Sequence, residues 1–198
     1  MLRATAVSIA LLGWTTAALG QECIASAQAP DAIWSAAPPG VTTLPDARLK
    51  IMTHLRCLGS KPEVSMLLTA GPASPALQTM PIGRKVGMEW ARAVVDDPAN
   101  REGLRESVLR SELRSSPGCR LQGSVTGVAE VGGMGVVGTA IHAECAQDSV
   151  KLSGEFYSGY DYNCEYQVQL VWEPGFVPLS PEAQAAVREV LKSVRFGR

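Results

Sequence analysis

The chain has 198 residues, of which 46% are hydrophobic and 19% are charged, and its formal net charge at neutral pH is −1. A chain of this length can bury enough apolar surface for one ordinary core, so we expect a single domain. The near-neutral charge gives no electrostatic basis for binding nucleic acid or an anionic membrane surface. An enzyme and a binding or accessory protein remain as candidates.

The N-terminus predicts export. One basic residue and an uncharged apolar run too short to span a bilayer comfortably precede the small residues Ala18 and Gly20. We predict a signal peptide over residues 1–20, with cleavage before Gln21 or, alternatively, after Ala18, and an uncleaved anchor as a further alternative. A glutamate directly before Cys23 disfavours lipid attachment there. The sequence therefore predicts a periplasmic or secreted protein without stable membrane insertion after cleavage.

Two segments follow the signal peptide. Residues 21–44 are rich in alanine and proline around a single tryptophan and predict an irregular arm. Residues 45–198 predict a single α+β domain, because helical and strand patterns alternate there without an internal repeat.

The first pattern of the domain is ambiguous. Ile51, Met52 and Leu55 fall on one helical face and predict a helix over about 46–58. A strand is the alternative, because Ile51, Leu55 and Cys57 share a parity.

The middle of the chain predicts one strand and two helices. Residues 63–70 predict the short strand. Four apolar residues that recur every four positions predict the first helix: Ile82, Val86, Trp90 and Val94. Asp97 before Pro98 is typical of an N-cap followed by a proline at the first helical position, and this second helix should end near Arg114.

The second half of the chain alternates between apolar and polar residues. Such alternation is typical of an antiparallel sheet that is open to solvent on one side. Four strands separated by turn signals are indicated, at residues 119–131, 137–145, 150–156 and 164–172. A last amphipathic helix begins at Ser180 and Pro181. We therefore predict an α+β fold with a four-stranded antiparallel meander packed on helices.

The order of helix, meander and closing helix over residues 98–196, ending in "VLKSVRF", resembles the PsbP-like family. That family includes the extrinsic protein of photosystem II and bacterial envelope proteins. The resemblance rests on element order and on the terminal "SVRF", and it transfers no functional residue to this chain. It implies an accessory or binding protein more often than an enzyme.

Five cysteines in an exported chain predict disulfides and leave at least one cysteine over. Cys119 and Cys145 fall nearly opposite each other at the open end of the first predicted hairpin, which predicts a bridge between them. Cys164 lies too far along the meander to join them. Cys23, Cys57 and Cys164 compete for a second bridge. We favour Cys23 with Cys57, because the arm needs a tether, and interpret Cys164 as a buried apolar residue.

Two His-x-x-Cys units, His54 to Cys57 and His142 to Cys145, carry the ligand types of a tetrahedral zinc site. Residues three apart on a strand point to opposite faces, so His142 and Cys145 cannot both face one ion. The sequence therefore predicts surface histidines and no metal or other cofactor.

Gly133, Gly135 and Gly138 match a dinucleotide-binding fingerprint. That fingerprint requires a helix directly after the glycines, whereas the residues that follow alternate as a strand. We therefore favour a glycine hairpin and keep nucleotide binding at the turn, residues 133–138, as a minor alternative.

Tyr157, Tyr160 and Asp161 lie at a predicted turn, where exposed aromatic rings could contact a sugar or a peptide. The leading hypothesis is an exported non-enzymatic accessory or binding protein of the bacterial envelope, with an envelope protein or glycan as its partner. The alternative is a small thiol-redox or metal-dependent enzyme that uses Cys164 or Cys57.

Overall fold

The computed structural model describes residues 23–28, 34–36, 48–57, 62–73, 85–115, 118–146, 150–161, 163–173, 175 and 177–197. The signal peptide predicted over residues 1–20 lies outside this described part of the chain.

Nine strands and three helices occur in the described residues. The strands are β1 (Ile24–Ser26), β2 (Trp34–Ala36), β3 (Lys50–Cys57), β4 (Glu63–Pro72), β5 (Cys119–Val131), β6 (Met134–Cys145), β7 (Val150–Asp161), β8 (Cys164–Glu173) and β9 (Arg195–Gly197). The helices are α1 (Gly87–Asp96), α2 (Pro98–Ser115) and α3 (Pro181–Ser193).

Seven of these strands form one antiparallel sheet, in the order β2-β3-β4-β8-β7-β6-β5. A separate two-stranded sheet pairs β1 with β9. The prediction of a four-stranded meander packed on helices is therefore wrong. Strands β5 to β8 do form a meander, but β4 pairs along the whole of β8 and brings β3 and β2 with it. The predicted irregular arm also supplies strands, since β1 and β2 both lie within it.

The helix predicted over 46–58 is instead strand β3. Leu55 and Cys57 are buried and Arg56 between them is exposed, which is the period of two that a strand requires. Strand β3 pairs with β4 over most of its length, so its backbone groups are satisfied by the sheet.

Strand β4 explains why the sheet is larger than predicted. Five consecutive residues, 66–70, are buried, so this strand is covered on both faces. A strand covered on both faces belongs in the interior of a sheet, with a neighbour on each edge. The neighbours are β3 and β8.

The helices divide between the two faces of the sheet. We call the side covered by α3 the front face and the side covered by α1 and α2 the back face. The front core joins α3 to β4 and β8 and includes Val64, Met66, Leu68, Tyr166, Val168, Leu170, Val187 and Val190. The back core joins α1 and α2 to β6 and β7 and includes Trp90, Val94, Leu104, Val108, Val137, Ile141 and Phe156. Helix α3 thus covers the middle of the sheet on one face, and α1 and α2 cover the side with β5, β6 and β7 on the other face.

A bulge in strand β5 allows its side chains to pack in both cores. The pairing register of β5 with β6 shifts between Val125 and Gly127, and Gly127 has a φ of 132°, which favours glycine. Val125 packs against the back core, whereas Val131 lies in the front core. One extra residue therefore reverses the faces along a single strand.

Both predicted helix caps are present. The Ala99 backbone N–H donates to Asp97 Oδ1 at 2.8 Å, and the Ala183 backbone N–H donates to Ser180 Oγ at 3.2 Å. The first predicted helix begins at Gly87 rather than near residue 82.

Two disulfides join distant parts of the chain. Cys119 and Cys145 are directly opposite in the register of β5 and β6, and their bridge is the one predicted from the sequence. Cys23 pairs with Cys164, so the predicted bridge from Cys23 to Cys57 is wrong.

The register of β4 gives the reason. Cys164 lies opposite Pro72, and Cys57 lies opposite Val64 at the other end of the same strand. Eight residues of strand separate the two positions, about 27 Å at ~3.4 Å per residue. A cysteine that reaches Cys164 therefore cannot reach Cys57.

Candidate functional site

The three residues predicted to form a contact loop do not lie together. Tyr160 is only 8% exposed, and its ring packs on the Trp90 ring at 6.1 Å in the back core. Burial, followed by the charge of Asp161, raises the pKa of Tyr160. Because strand β7 continues to Asp161, this tyrosine belongs to the sheet rather than to a turn, and the prediction that it is exposed is wrong.

Tyr157 and Asp161 lie on the front face, since they are opposite Val168 and Cys164 of β8. The Tyr157 hydroxyl donates to Glu155 Oε2 at 2.6 Å. Burial of the ring, and then this hydrogen bond to a carboxylate, raise the pKa of Tyr157 well above its usual value. The ring remains half-buried at the border of the front core.

The front face of β5, β6 and β7 continues beyond Tyr157, and none of the three described helices lies over it. We call this surface the open polar face. It consists of Arg120, Gln122, Ser124, Ala140, His142, Glu144, Lys151, Glu155 and Tyr157, all of which are exposed or half-exposed. Rigid strands thus hold amide, hydroxyl, imidazole and carboxylate groups in regular rows.

Three of the four charged residues on the open polar face, Arg120, Glu144 and Lys151, lie near its disulfide end, and Glu155 lies beside Tyr157. Lys151 Nζ lies 3.5 Å from Glu144 Oε1, and both side chains are more than half exposed. Arg120 is directly opposite Glu144 in the register of β5 and β6. Exposed pairs of this kind contribute little to stability.

Each histidine forms a cross-strand pair with a serine eleven residues later. His142 Nδ1 lies 2.8 Å from Ser153 Oγ, and His54 Nε2 lies 2.9 Å from Ser65 Oγ. Burial, and then the charge of Arg56, lower the pKa of His54. The eleven-residue spacing that both pairs share is the feature of the sequence from which the pairs could have been predicted.

The buried serine of the His142 pair is not accessible to a substrate, and the two pairs lie too far apart to share a metal ion. Ser153 is only 2% exposed, so a substrate cannot reach its hydroxyl. His54 lies on the back face and His142 on the front face. Within the described ranges, no group of three histidine, cysteine or acidic side chains is placed to hold a metal ion.

The structure also shows the surroundings of Cys164 and Cys57, the two cysteines of the enzyme hypothesis. Cys164 is oxidised in a disulfide, so the prediction that it acts as a reactive thiol is wrong. Cys57 is in neither disulfide, but it is only 1% exposed within the front core. A soluble substrate has no direct access to that sulfur.

The glycine motif forms a hairpin turn. Val131 pairs with Met134, and the two residues between them, Gly132 and Gly133, have φ angles of 57° and 81°. Two positive φ angles in a two-residue loop are typical of a type I′ turn. A strand follows the turn, so the dinucleotide fingerprint is not formed.

An open cleft of about 370 Å³ lies between this turn and the end of α3. We call it the basic cleft, and its lining residues are Glu130, Gly132, Gly133, Arg188, Leu191, Lys192 and Arg195. Sequence reasoning missed it, because the contact between turn and helix depends on long-range packing. A Cβ on Gly132 would overlap the carbonyl of Val194, so the turn fits closely against the chain after α3.

The fold and bridges define a mostly β, disulfide-bonded protein with helices on both sheet faces. No helix in the described part of the chain is long and apolar enough to cross a membrane. Two disulfides are consistent with export, because such bridges persist in oxidising compartments.

Comparisons with known proteins show similarity to solved structures. No protein-family model and no curated protein matches the chain. Among solved structures, the chain is similar to LpqN, a protein involved in cell envelope biogenesis of Mycobacterium tuberculosis. The two are 11% identical, with 89% of this chain and 85% of LpqN covered and a TM-score of 0.42. A similarity of this size carries no argument about function, and the PsbP-like resemblance stays a prediction.

Proposed function

We propose that this protein is an exported, non-enzymatic accessory protein that binds an envelope glycan on the open polar face. The observation that carries the proposal is a sheet surface that no described helix covers and that is lined with neutral and charged hydrogen-bonding side chains. The two disulfides support an extracytoplasmic location, where envelope glycans are found.

The composition of the open polar face favours a glycan over a protein partner. Stable protein interfaces have apolar cores with large anchoring side chains. The large hydrophobic residues exposed in the described part of the chain are Ile24, Ile51, Val128 and Val177, and none lies on this face. Gln122, Ser124 and Glu155 instead offer the donors and acceptors that sugar hydroxyls require, and the half-buried Tyr157 ring offers aromatic surface for contact with a sugar.

The proposal can be tested by nuclear magnetic resonance. Adding chitohexaose, cellohexaose or soluble peptidoglycan fragments to the labelled protein should shift the backbone amide signals of β5, β6 and β7. The Gln122→Ala and Glu155→Ala variants should weaken this binding. Gln169→Ala is the matched control, because Gln169 lies on the back face, opposite Leu67 of β4.

Two results would contradict the proposal. One is equal binding by the Gln122→Ala variant and the wild type. The other is the absence of amide shifts with every glycan, together with cross-linking from position 122 to a single envelope protein.

A further inference from the structure

The basic cleft lies at the turn end of the hairpin formed by β5 and β6, away from the Cys119–Cys145 disulfide. We propose that this cleft is a separate binding site for a phosphate monoester group. The proposal does not depend on the glycan hypothesis, because its residues belong to α3 and to the turn.

The charge of the cleft fits a dianion. The residues that line it include three cationic ones, Arg188, Lys192 and Arg195, and one acidic one, Glu130. These lining residues sum to an excess of two positive charges, and Glu189, which pairs with Lys192, lies outside the lining. A phosphate monoester carries about −1.5 to −2 at neutral pH, whereas a carboxylate carries only one negative charge.

Two of these cationic side chains interact with groups at the end of α3, whereas the third has no such partner in the described part of the chain. Lys192 Nζ lies 2.7 Å from Glu189 Oε1, and Arg195 donates to the carbonyl oxygens of Lys192 and Val194 at 2.6 and 2.7 Å. Both residues therefore stabilise the C-terminal end of α3. Arg188 is exposed and makes no hydrogen bond or ion pair with the described residues. Its guanidinium is available to bind an anion.

Two features make the cleft suitable for an oxyanion. Gly133 has no side chain, and a Cβ there would meet nothing within 4 Å, so the turn leaves room for a ligand. The carbonyl groups at a helix C-terminus normally repel anions. Here Arg195 donates to two of those oxygens and reduces that repulsion.

The proposal can be tested by isothermal titration calorimetry and by amide chemical shifts. The ligands are inorganic phosphate, glucose 6-phosphate and glucose. Inorganic phosphate should bind at low ionic strength with a Kd on the order of 1 mM, as a small ligand in an open site allows. Glucose 6-phosphate should bind and glucose should not. The shifted amides should be those of residues 130–133 and 188–195. Tighter binding of adenosine monophosphate than of glucose 6-phosphate would identify a nucleotide as the natural source of the phosphate.

Charge variants make the test specific. Arg188→Gln should weaken phosphate binding about tenfold, the loss expected for one charge-assisted hydrogen bond. Glu130→Gln should strengthen binding, because it removes the repelling carboxylate. Arg110→Gln is the matched control, since it removes the same charge from an exposed position on α2. Unchanged affinity in both cleft variants, no phosphate binding at all, or equal binding of glucose would overturn the proposal.

Discussion

The Cys23–Cys164 disulfide should be the more stabilising of the two bridges. Its cysteines are 141 residues apart in the chain, whereas Cys119 and Cys145 are 26 residues apart. A longer closed loop removes more conformational entropy from the unfolded chain. Loop-closure entropy alone gives stabilisation of about 5 kcal/mol for the longer loop and about 3.5 kcal/mol for the shorter. The difference, about 1.5 kcal/mol, depends only on the ratio of the loop lengths.

The experiment compares the Cys23→Ala/Cys164→Ala variant with the Cys119→Ala/Cys145→Ala variant in urea denaturation. The first should lose more free energy of unfolding, and its dependence on urea should become steeper because the unfolded chain expands. Cys57→Ala is the control for removal of a buried sulfur and should leave both disulfides intact by peptide mapping.

Two results would refute this reasoning. An equal or larger loss from the Cys119 and Cys145 pair would show that loop length does not determine the effect. Loss of a disulfide in the Cys57→Ala variant would show that the pairing itself is wrong.

Three further predictions follow from local geometry. Gly135→Ala should lower the melting temperature, because the new Cβ would overlap the backbone of Met88. Gly103 lies in open space on α2, so Gly103→Ala should stabilise the protein by roughly 1 kcal/mol in urea denaturation. Ser180→Ala should cost about 1 kcal/mol in the same assay, because it removes the side-chain cap of α3. The lowered pKa of His54 means that the unfolded chain binds its proton more readily, so stability should fall as the pH drops below 6.5. Nuclear magnetic resonance titration of His54 should give a pKa below 6.5, and His54→Gln should remove its share of the pH dependence of stability.

The second half of the fold could be predicted because its signals are local. Strand β8 alternates between buried and half-exposed side chains over most of its length, and strict alternation identifies both the strand and its faces. The number of strands in the sheet could be predicted only from a different feature of the sequence. The apolar run in β4 indicated a strand covered on both faces, and such a strand needs partners that a four-stranded meander does not provide.

The errors at the candidate site also have physical reasons. Tyr160 has the parity of Phe156, so the alternation would have placed it in the back core had β7 been extended to Asp161. The spacing of Arg188 and Lys192 places both on one side of α3 and was visible in the sequence. That the glycine turn meets this helix depends on how β5, β6 and α3 pack, which no local pattern encodes.

The position of the Cys119–Cys145 disulfide is related to the open polar face. At this end of the hairpin the back face packs on α2, but no helix in the described ranges lies on the front face. Burial of only one face provides less hydrophobic stabilisation than burial of both. The disulfide closes the hairpin at that end and offsets the missing core. It thereby allows the front face to stay polar and uncovered.

This argument predicts a local effect of the Cys119→Ala/Cys145→Ala variant. Hydrogen exchange should accelerate in residues 119–124 and 140–145, where the disulfide supports the open polar face. Exchange at Met66 and Leu170, in the front core, should accelerate only by the global loss of stability. Uniform acceleration across the sheet would instead show that the hairpin end and the front core unfold as one cooperative unit.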